Sequence, residues 1–191
     1  PTKPWSGVLI ANEVVDALPF EWLRHRNQHW QEIGVTVKDH ELTLTERPAD
    51  PELAHIMQAL IADPAQGEQR EYRRRLAPWV KTLLQYQQAG VALWIDYGGG
   101  ANEVYSSERT QGTYSCFHRH RQHEDVLINL GLQDITAWVD FKALAQAIIN
   151  AQSSILGFTT QASFLIHNDF DRHFERLSRQ LNDTDRTALT V

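Results

Sequence analysis

The stretch GVLIANEVVDALPF, Gly7–Phe20, decides how the rest of the chain is read. Val8, Leu9, Ile10 and Ala11 form a short apolar run rich in β-formers, the pattern of a strand buried within an α/β sheet. The run leads straight into Asn12, Glu13 and Asp16 and stops at Pro19. Open α/β sheets bind ligands at the carboxyl ends of their strands, and a carboxylate there can hold a guanidinium or accept a proton. The same residues can instead close a turn by bonding their own backbone. The residues alone leave both readings open.

A second run, GVALWIDYGGG, repeats the arrangement from Gly90 to Gly100: a buried strand, then Asp96 and Tyr97, then three glycines. Those glycines either permit a close backbone approach or supply positive φ values. The segment lacks the full phosphate-cradling patterns G-x-G-x-x-G and G-x-x-x-x-G-K.

Between these runs, Phe20 to Arg47 alternates partially, with turn-like RNQH and KDHE, and predicts two or three antiparallel strands. ADPELAHIMQALIADP predicts a helix capped by Asp50, with Pro51 in its first turn and Leu53, Ile56, Met57, Leu60 and Ile61 as its apolar stripe. AQGEQREY reads as a polar loop, and a second helix runs from about Glu71 to Gln88, with Pro78 marking its start or a bend and Gly90 ending it. Further on, a strand is expected in TQGTYSCFHRHR, a turn and helix in DITAWVDFKALAQAIINAQ, and a strand, turn and helix start in SILGFTTQASFLI. An amphipathic helix follows from about Asp169 to Leu181, with a polar tail or short helix after it. Strands alternating with helices around an antiparallel patch predict an α/β fold with a mixed sheet.

At 191 residues the chain suits a single domain. A net charge of −6 argues against a general binder of nucleic acid or anionic membrane, and no apolar run reaches transmembrane length. One cysteine, Cys116, excludes an internal disulfide. The absence of an initiator Met, and a core strand almost at once, read as a fragment or a processed chain.

Three other clusters have competing readings. In CFHRHRQH, strand periodicity would bring Cys116, His118 and His120 to one face, where they can be metal ligands or ordinary surface residues, but no second ligand pair appears. The run Arg73, Arg74 and Arg75 fans around a helix and reads as a solvated face, with a small anionic contact as the alternative. Thr159, Thr160 and Gln161 read as a helix cap, with Gln161 alternatively pointing into a cleft.

Taken in order, ANEVVDALPF, WIDYGG, GTYSCFHRHR, LGLQDITAWVDF and GFTTQASFL resemble the MidA-type family of S-adenosylmethionine-dependent methyltransferases, over roughly Gly7 to Leu177. The resemblance implies the C-terminal portion of a Rossmann-like class I methyltransferase fold, with S-adenosyl-L-methionine as cofactor and residues 20–90 as inserted strands and a helical pair. The family's Gly-rich cofactor motif and ribose-binding acid lie before the NE…D segment and have no counterpart here, so the isolated chain is expected to be inactive. Residue by residue, the resemblance implies Glu13 and Asp16 as catalytic carboxylates, Glu13 first, holding an arginine guanidinium, with Asn12 toward the cofactor. It places Asp96, Tyr97, His120, Asp134, Thr136 and Asp140 around the acceptor cleft, and it implies no metal. The implied partner is a protein substrate, with no nucleic acid and no membrane, and a homodimer as an open alternative. The implied setting is the bacterial cytoplasm or the mitochondrial matrix, with a link to respiratory complex I assembly. Two rival readings are a non-catalytic assembly module and, more remotely, a metal-dependent hydrolase using His118 and His120.

Overall fold

The computed structural model describes residues 3–180, which divide into two compact units between Ser154 and Ile155. The first unit holds a parallel pair of strands, a four-stranded antiparallel sheet, two small sheets and four helices.

The first apolar run is strand β1, Trp5–Asn12, and the second lies in β6, Gln87–Ile95; they pair in parallel from Ser6↔Ala89 to Asn12↔Ile95. At Gly7↔Gly90 the backbones meet so closely that a Cβ on Gly90 would lie 1.8 Å from the Gly7 carbonyl oxygen. Gly90 therefore serves strand contact and does not end a helix, correcting the sequence expectation. Ala11, Ala92 and Trp94 face inward, the last two against a cluster of Val15, Val80, Leu84, Val139, Leu144 and Ile148. The expectation of full burial fails on the opposite face: Val8 and Ile10 are each 66% exposed.

Strands β2 (Glu21–Arg26), β3 (His29–Lys38), β4 (Glu41–Pro48) and β5 (Gln69–Tyr72) form the antiparallel sheet in the order β4-β3-β2-β5. Two-residue loops join the first three strands, and Asn27, Gln28, Asp39 and His40 all have positive φ, the geometry that matches hairpin twist. Helix α1, Pro51–Leu60, is capped by the Asp50 side chain, which accepts from Leu53 N at 3.0 Å. Its Leu53 and Met57, with Ile61 just beyond, pack on Leu23 and Trp30; burying each large side chain contributes about 1.5–3 kcal/mol.

β5 occupies the segment expected to be a loop. Glu68, Arg70 and Glu71 are buried here although charged, because Arg70 and Glu71 find partners in distant backbone and Glu68 pairs with Arg70 and accepts from the nearby Ala65 N at 2.7 Å. Arg70 pairs with Glu68 at 2.5 Å and donates to the carbonyls of Ser106, at 2.9 Å, and Arg109. Glu71 accepts from Thr113 N at 3.0 Å, Thr113 Oγ1 at 2.9 Å and Tyr114 N at 3.3 Å. The following helix α2, Leu76–Leu84, is shorter than its sequence periodicity suggests and carries Pro78 in its first turn, where no backbone donor is needed.

After β6 come β7 (Gly98–Gly99), helix α3 (Ala101–Val104), the hairpin β8 (Ser115–His118) and β9 (Arg121–His123), then β10 (Asp134–Thr136), β11 (Val139–Asp140) and helix α4 (Phe141–Asn150). β11 pairs in parallel with β7, whereas β10 pairs antiparallel with β8. The second unit contains α5, Gln161–His167, capped by the Thr160 side chain, and the amphipathic α6, Phe170–Gln180. No strand forms over 154–160, contrary to the sequence expectation, and the tail expected beyond Gln180 lies outside the described residues.

Candidate functional site

The carboxyl ends of β1 and β6 lie side by side, so Asn12 and Glu13 leave one strand where Asp96 leaves the other. Asp96 anchors the turn that follows β1. Its Oδ2 accepts from Val15 N at 3.0 Å and Asp16 N at 3.2 Å, and its Oδ1 accepts from Tyr97 N at 2.9 Å. Glu13 N adds a bond to the Ile95 carbonyl at 2.8 Å. Burial pushes the Asp96 carboxyl above its ordinary value, and the Asp16 carboxylate adds to the effect, while the three backbone donors oppose it.

This anchoring separates the carboxylates of the NE…D segment. Asp16 is 3% exposed; its Oδ2 accepts the Tyr97 hydroxyl, and its Oδ1 is buried with no partner among the described residues. Tyr97 is pushed upward, first by burial and then by its bond to Asp16, so it stays a neutral donor; buried Thr136 lies beside the same phenol. Glu13 and Asn12 instead face solvent, with no side-chain partner among the described residues. Glu13 has φ 49°, in the left-handed region that costs an L side chain energy and that gathers at functional turns.

Backbone contacts bring the β10–β11 segment onto the turn. Ala137 N donates to the Asp16 carbonyl at 3.1 Å, and Val139 N to the Tyr97 carbonyl at 3.0 Å. The glycine run answers its sequence-level question here. A Cβ on Gly98 would lie 2.0 Å from the Val139 carbonyl oxygen, so the glycine admits the chain's own backbone. Asp140, half-buried, caps α4 by accepting from Lys142 N at 2.9 Å and Ala143 N at 3.1 Å.

Asn12, Glu13, Asp16, Asp96, Tyr97 and Thr136 are therefore neighbours, with Asp140 next along the chain from β10. His120 and Asp134 do not join them. His120 occupies the exposed two-residue turn between β8 and β9, with φ 61°, and Asp134 is exposed opposite Phe117. The turn also removes the one-face alignment of Cys116, His118 and His120. Cys116 is fully buried and His118 donates Nδ1–H to the Leu132 carbonyl at 2.7 Å. Among the described residues no group of His, Cys, Asp or Glu is arranged to hold a metal.

A cavity of about 220 Å³ lies nearby, lined in part by Glu71, Tyr72, Arg73, Tyr105, Trp138 and Asp140, and takes in neither Asn12 nor Glu13. The sequence reading missed Arg73, Glu71 and Thr113 as organisers of this region. The one available signal was the charge pattern EQREYRRR, in which acids and bases alternate too closely for a disordered like-charge run.

For an adenosyl sulfonium cofactor, the free Asn12 amide and Glu13 carboxylate at the strand ends suit one edge of a site, a cation favouring the carboxylate side. They do not enclose a ligand by themselves.

A family model described as "Putative S-adenosyl-L-methionine-dependent methyltransferase" matches residues 1–159. The chain is 29% identical over 176 residues to the protein arginine methyltransferase NDUFAF7, mitochondrial, of Xenopus tropicalis, covering 91% of the chain and 39% of that protein. It is 26% identical over 183 residues to the Caenorhabditis elegans homologue of the same name, covering 92% and 40%. The crystal structure of a COG1565 superfamily member and likely methyl transfer enzyme from Burkholderia thailandensis, bound to S-adenosyl-homocysteine, superposes with a TM-score of 0.84 at 33% identity, covering 97% of this chain and 47% of that one. The chain thus spans about two fifths of the length of these curated relatives and under half of the solved protein. Among the described residues no helix is long and apolar enough to cross a membrane. With most of its length matched by the family model, and with an α/β fold that superposes on a solved methyltransferase, the chain belongs to this S-adenosyl-L-methionine-dependent methyltransferase family.

Proposed function

We propose that the chain forms the acceptor side of an S-adenosyl-L-methionine-dependent methyltransferase that modifies a protein side chain, arginine first among the candidates. The observation that carries this reading is Glu13: a solvent-facing carboxylate with no side-chain partner among the described residues, on a left-handed residue, at the carboxyl end of two parallel strands. The names of the curated relatives support arginine as acceptor, and the link to respiratory complex I assembly rests on the family resemblance.

The cofactor supplies an electrophilic methyl group on a sulfonium. Alignment is then the main demand on the protein, and the Glu13 carboxylate orients a guanidinium and favours electron density on the attacking nitrogen. Asp16, held through the Tyr97 hydroxyl, forms the rigid floor of the turn that presents Glu13. Asn12 belongs on the cofactor side of the same edge.

A second reading, a protein-binding module without catalysis, draws on the exposed apolar face formed by Val8, Ile10 and Val91. Calorimetry with S-adenosyl-L-methionine on the full-length protein separates the two, since absence of cofactor binding eliminates the methyltransferase reading. Glu13→Ala is expected to lower methyl transfer about 100-fold, and Asp16→Ala by a similar factor, with cofactor affinity held within about threefold. Wild-type turnover in both variants would remove these assignments.

A further inference from the structure

The three consecutive arginines after β5 do different things. Arg74 pairs with Asp50 at 2.9 Å and Arg75 is exposed, but Arg73 turns inward. Its Nη1 donates to the Trp138 carbonyl at 2.7 Å, and its Nη2 donates to the carbonyls of Asp16 at 2.6 Å and Ala137 at 2.5 Å. Among the described residues no carboxylate lies within ion-pair distance of it, and its Nε is buried without a partner. A desolvated guanidinium committed to backbone oxygens is costly to keep, and only a planar fork of donors reaches three carbonyls at once.

Those carbonyls belong to the two walls of the candidate site. Asp16 lies in the turn that presents Glu13, and Ala137 and Trp138 follow directly on Thr136, which lies beside Tyr97. The Asp16 carbonyl also receives Ala137 N, so Arg73 reinforces the junction where the walls already touch. The charged and titratable groups around the guanidinium are Glu71 from β5, Tyr105 after α3, Asp16 from the turn and Asp96 from the end of β6. A second cation, Arg109, lies over the Trp138 ring at 3.8 Å from the ring centroid.

We propose that Arg73 is a positioning residue for the methyl-acceptor site: its fork fixes the Glu13–Asp16 turn against the Thr136–Trp138 wall, with its charge on the side of Asp96. The catalytic part of this inference rests on the methyltransferase reading above, whereas its geometric part does not.

The test compares Arg73→Met with Arg73→Lys in the full-length protein through three readouts: methyl transfer with cofactor affinity, amide exchange at Ala137, and the NMR titration of the Asp96 carboxyl. The Met variant loses fork and charge. It is expected to lose about 100-fold in kcat with cofactor affinity within about threefold, to exchange Ala137 about tenfold faster, and to titrate Asp96 at higher pH. The Lys variant keeps the charge without the fork, so Asp96 titrates as in the wild type while Ala137 still exchanges faster and kcat falls less. A purely structural residue would not divide the two variants at Asp96.

Wild-type kcat in both variants overturns the inference, as does an Asp96 titration that shifts equally in both or in neither. If the Met variant does not fold, the Lys variant decides: unchanged Ala137 exchange overturns the fork, and faster exchange with an unshifted Asp96 supports it. A wild-type protein that transfers no methyl group defeats the proposed function instead, and the Ala137 and Asp96 readouts still judge the fork.

Discussion

Replacing Asp96 with alanine tests whether this residue builds the site or lines it. Its carboxylate accepts from Val15 N at 3.0 Å, Asp16 N at 3.2 Å and Tyr97 N at 2.9 Å, so the substitution leaves three backbone donors without a protein acceptor. A hydrogen bond to a charged group contributes about 1.5–3 kcal/mol net, and a neutral one about 1 kcal/mol. Two effects reduce the sum of three such bonds. Burial already holds the Asp96 carboxyl above its ordinary value, so removing it relieves a desolvation penalty, and water can reach part of the half-buried turn. The expected net loss is about 2 kcal/mol.

Asp96→Asn refines the estimate. One amide oxygen can keep the bonds from Val15 N and Asp16 N, but the amide nitrogen then faces Tyr97 N–H, so one bond is lost at about 1 kcal/mol. Urea unfolding with a freely fitted slope measures both variants, and amide exchange at Val15 and Asp16 localises the change. A 2 kcal/mol loss confined to the turn accelerates those amides by about 30-fold. An alanine variant within about 0.5 kcal/mol of wild type, or an asparagine variant as costly as alanine, would refute the anchoring argument. Asp96 would then return to the role of a cleft residue.

Two further outcomes follow from close contacts and buried charge. Gly98→Ala places a Cβ 2.0 Å from the Val139 carbonyl oxygen, so β7 and β11 must part; a loss of about 2–3 kcal/mol, with faster exchange of the Val139 amide, is expected in denaturant and exchange experiments. Burial holds the Glu71 carboxyl above its ordinary value near 4.5, so over that interval the folded chain keeps a proton that the unfolded chain has released. Wild-type stability therefore falls as pH rises from about that value through the raised one, and Glu71→Gln flattens the slope; urea midpoints equal in pH dependence for the two proteins would contradict this.

What the sequence could reveal followed from how local each partner is. The hairpin turns Asn27–Gln28 and Asp39–His40 and the capped helix from Pro51 have partners within a few residues, and they form where the pattern places them. The polar end of β1 was likewise legible, because a strand running into Asn12, Glu13 and Asp16 is a local fact. Period-two reading failed where it was carried one residue too far, since the chain turns at Arg119 and His120 and takes His120 off the strand face. The larger failure was β5. Patterning infers burial from apolarity, so EQREYRRR read as solvated loop and helix surface. Arg73 finds its three carbonyls 57, 64 and 65 residues away in the chain, and Glu71 its amides 42 and 43 away. Nothing in the local composition marks a backbone group as waiting for a distant charge. The residues hardest to read are therefore those that join the walls of the site: a buried charge bonded to remote backbone fixes the relative placement of loops that no local pattern relates.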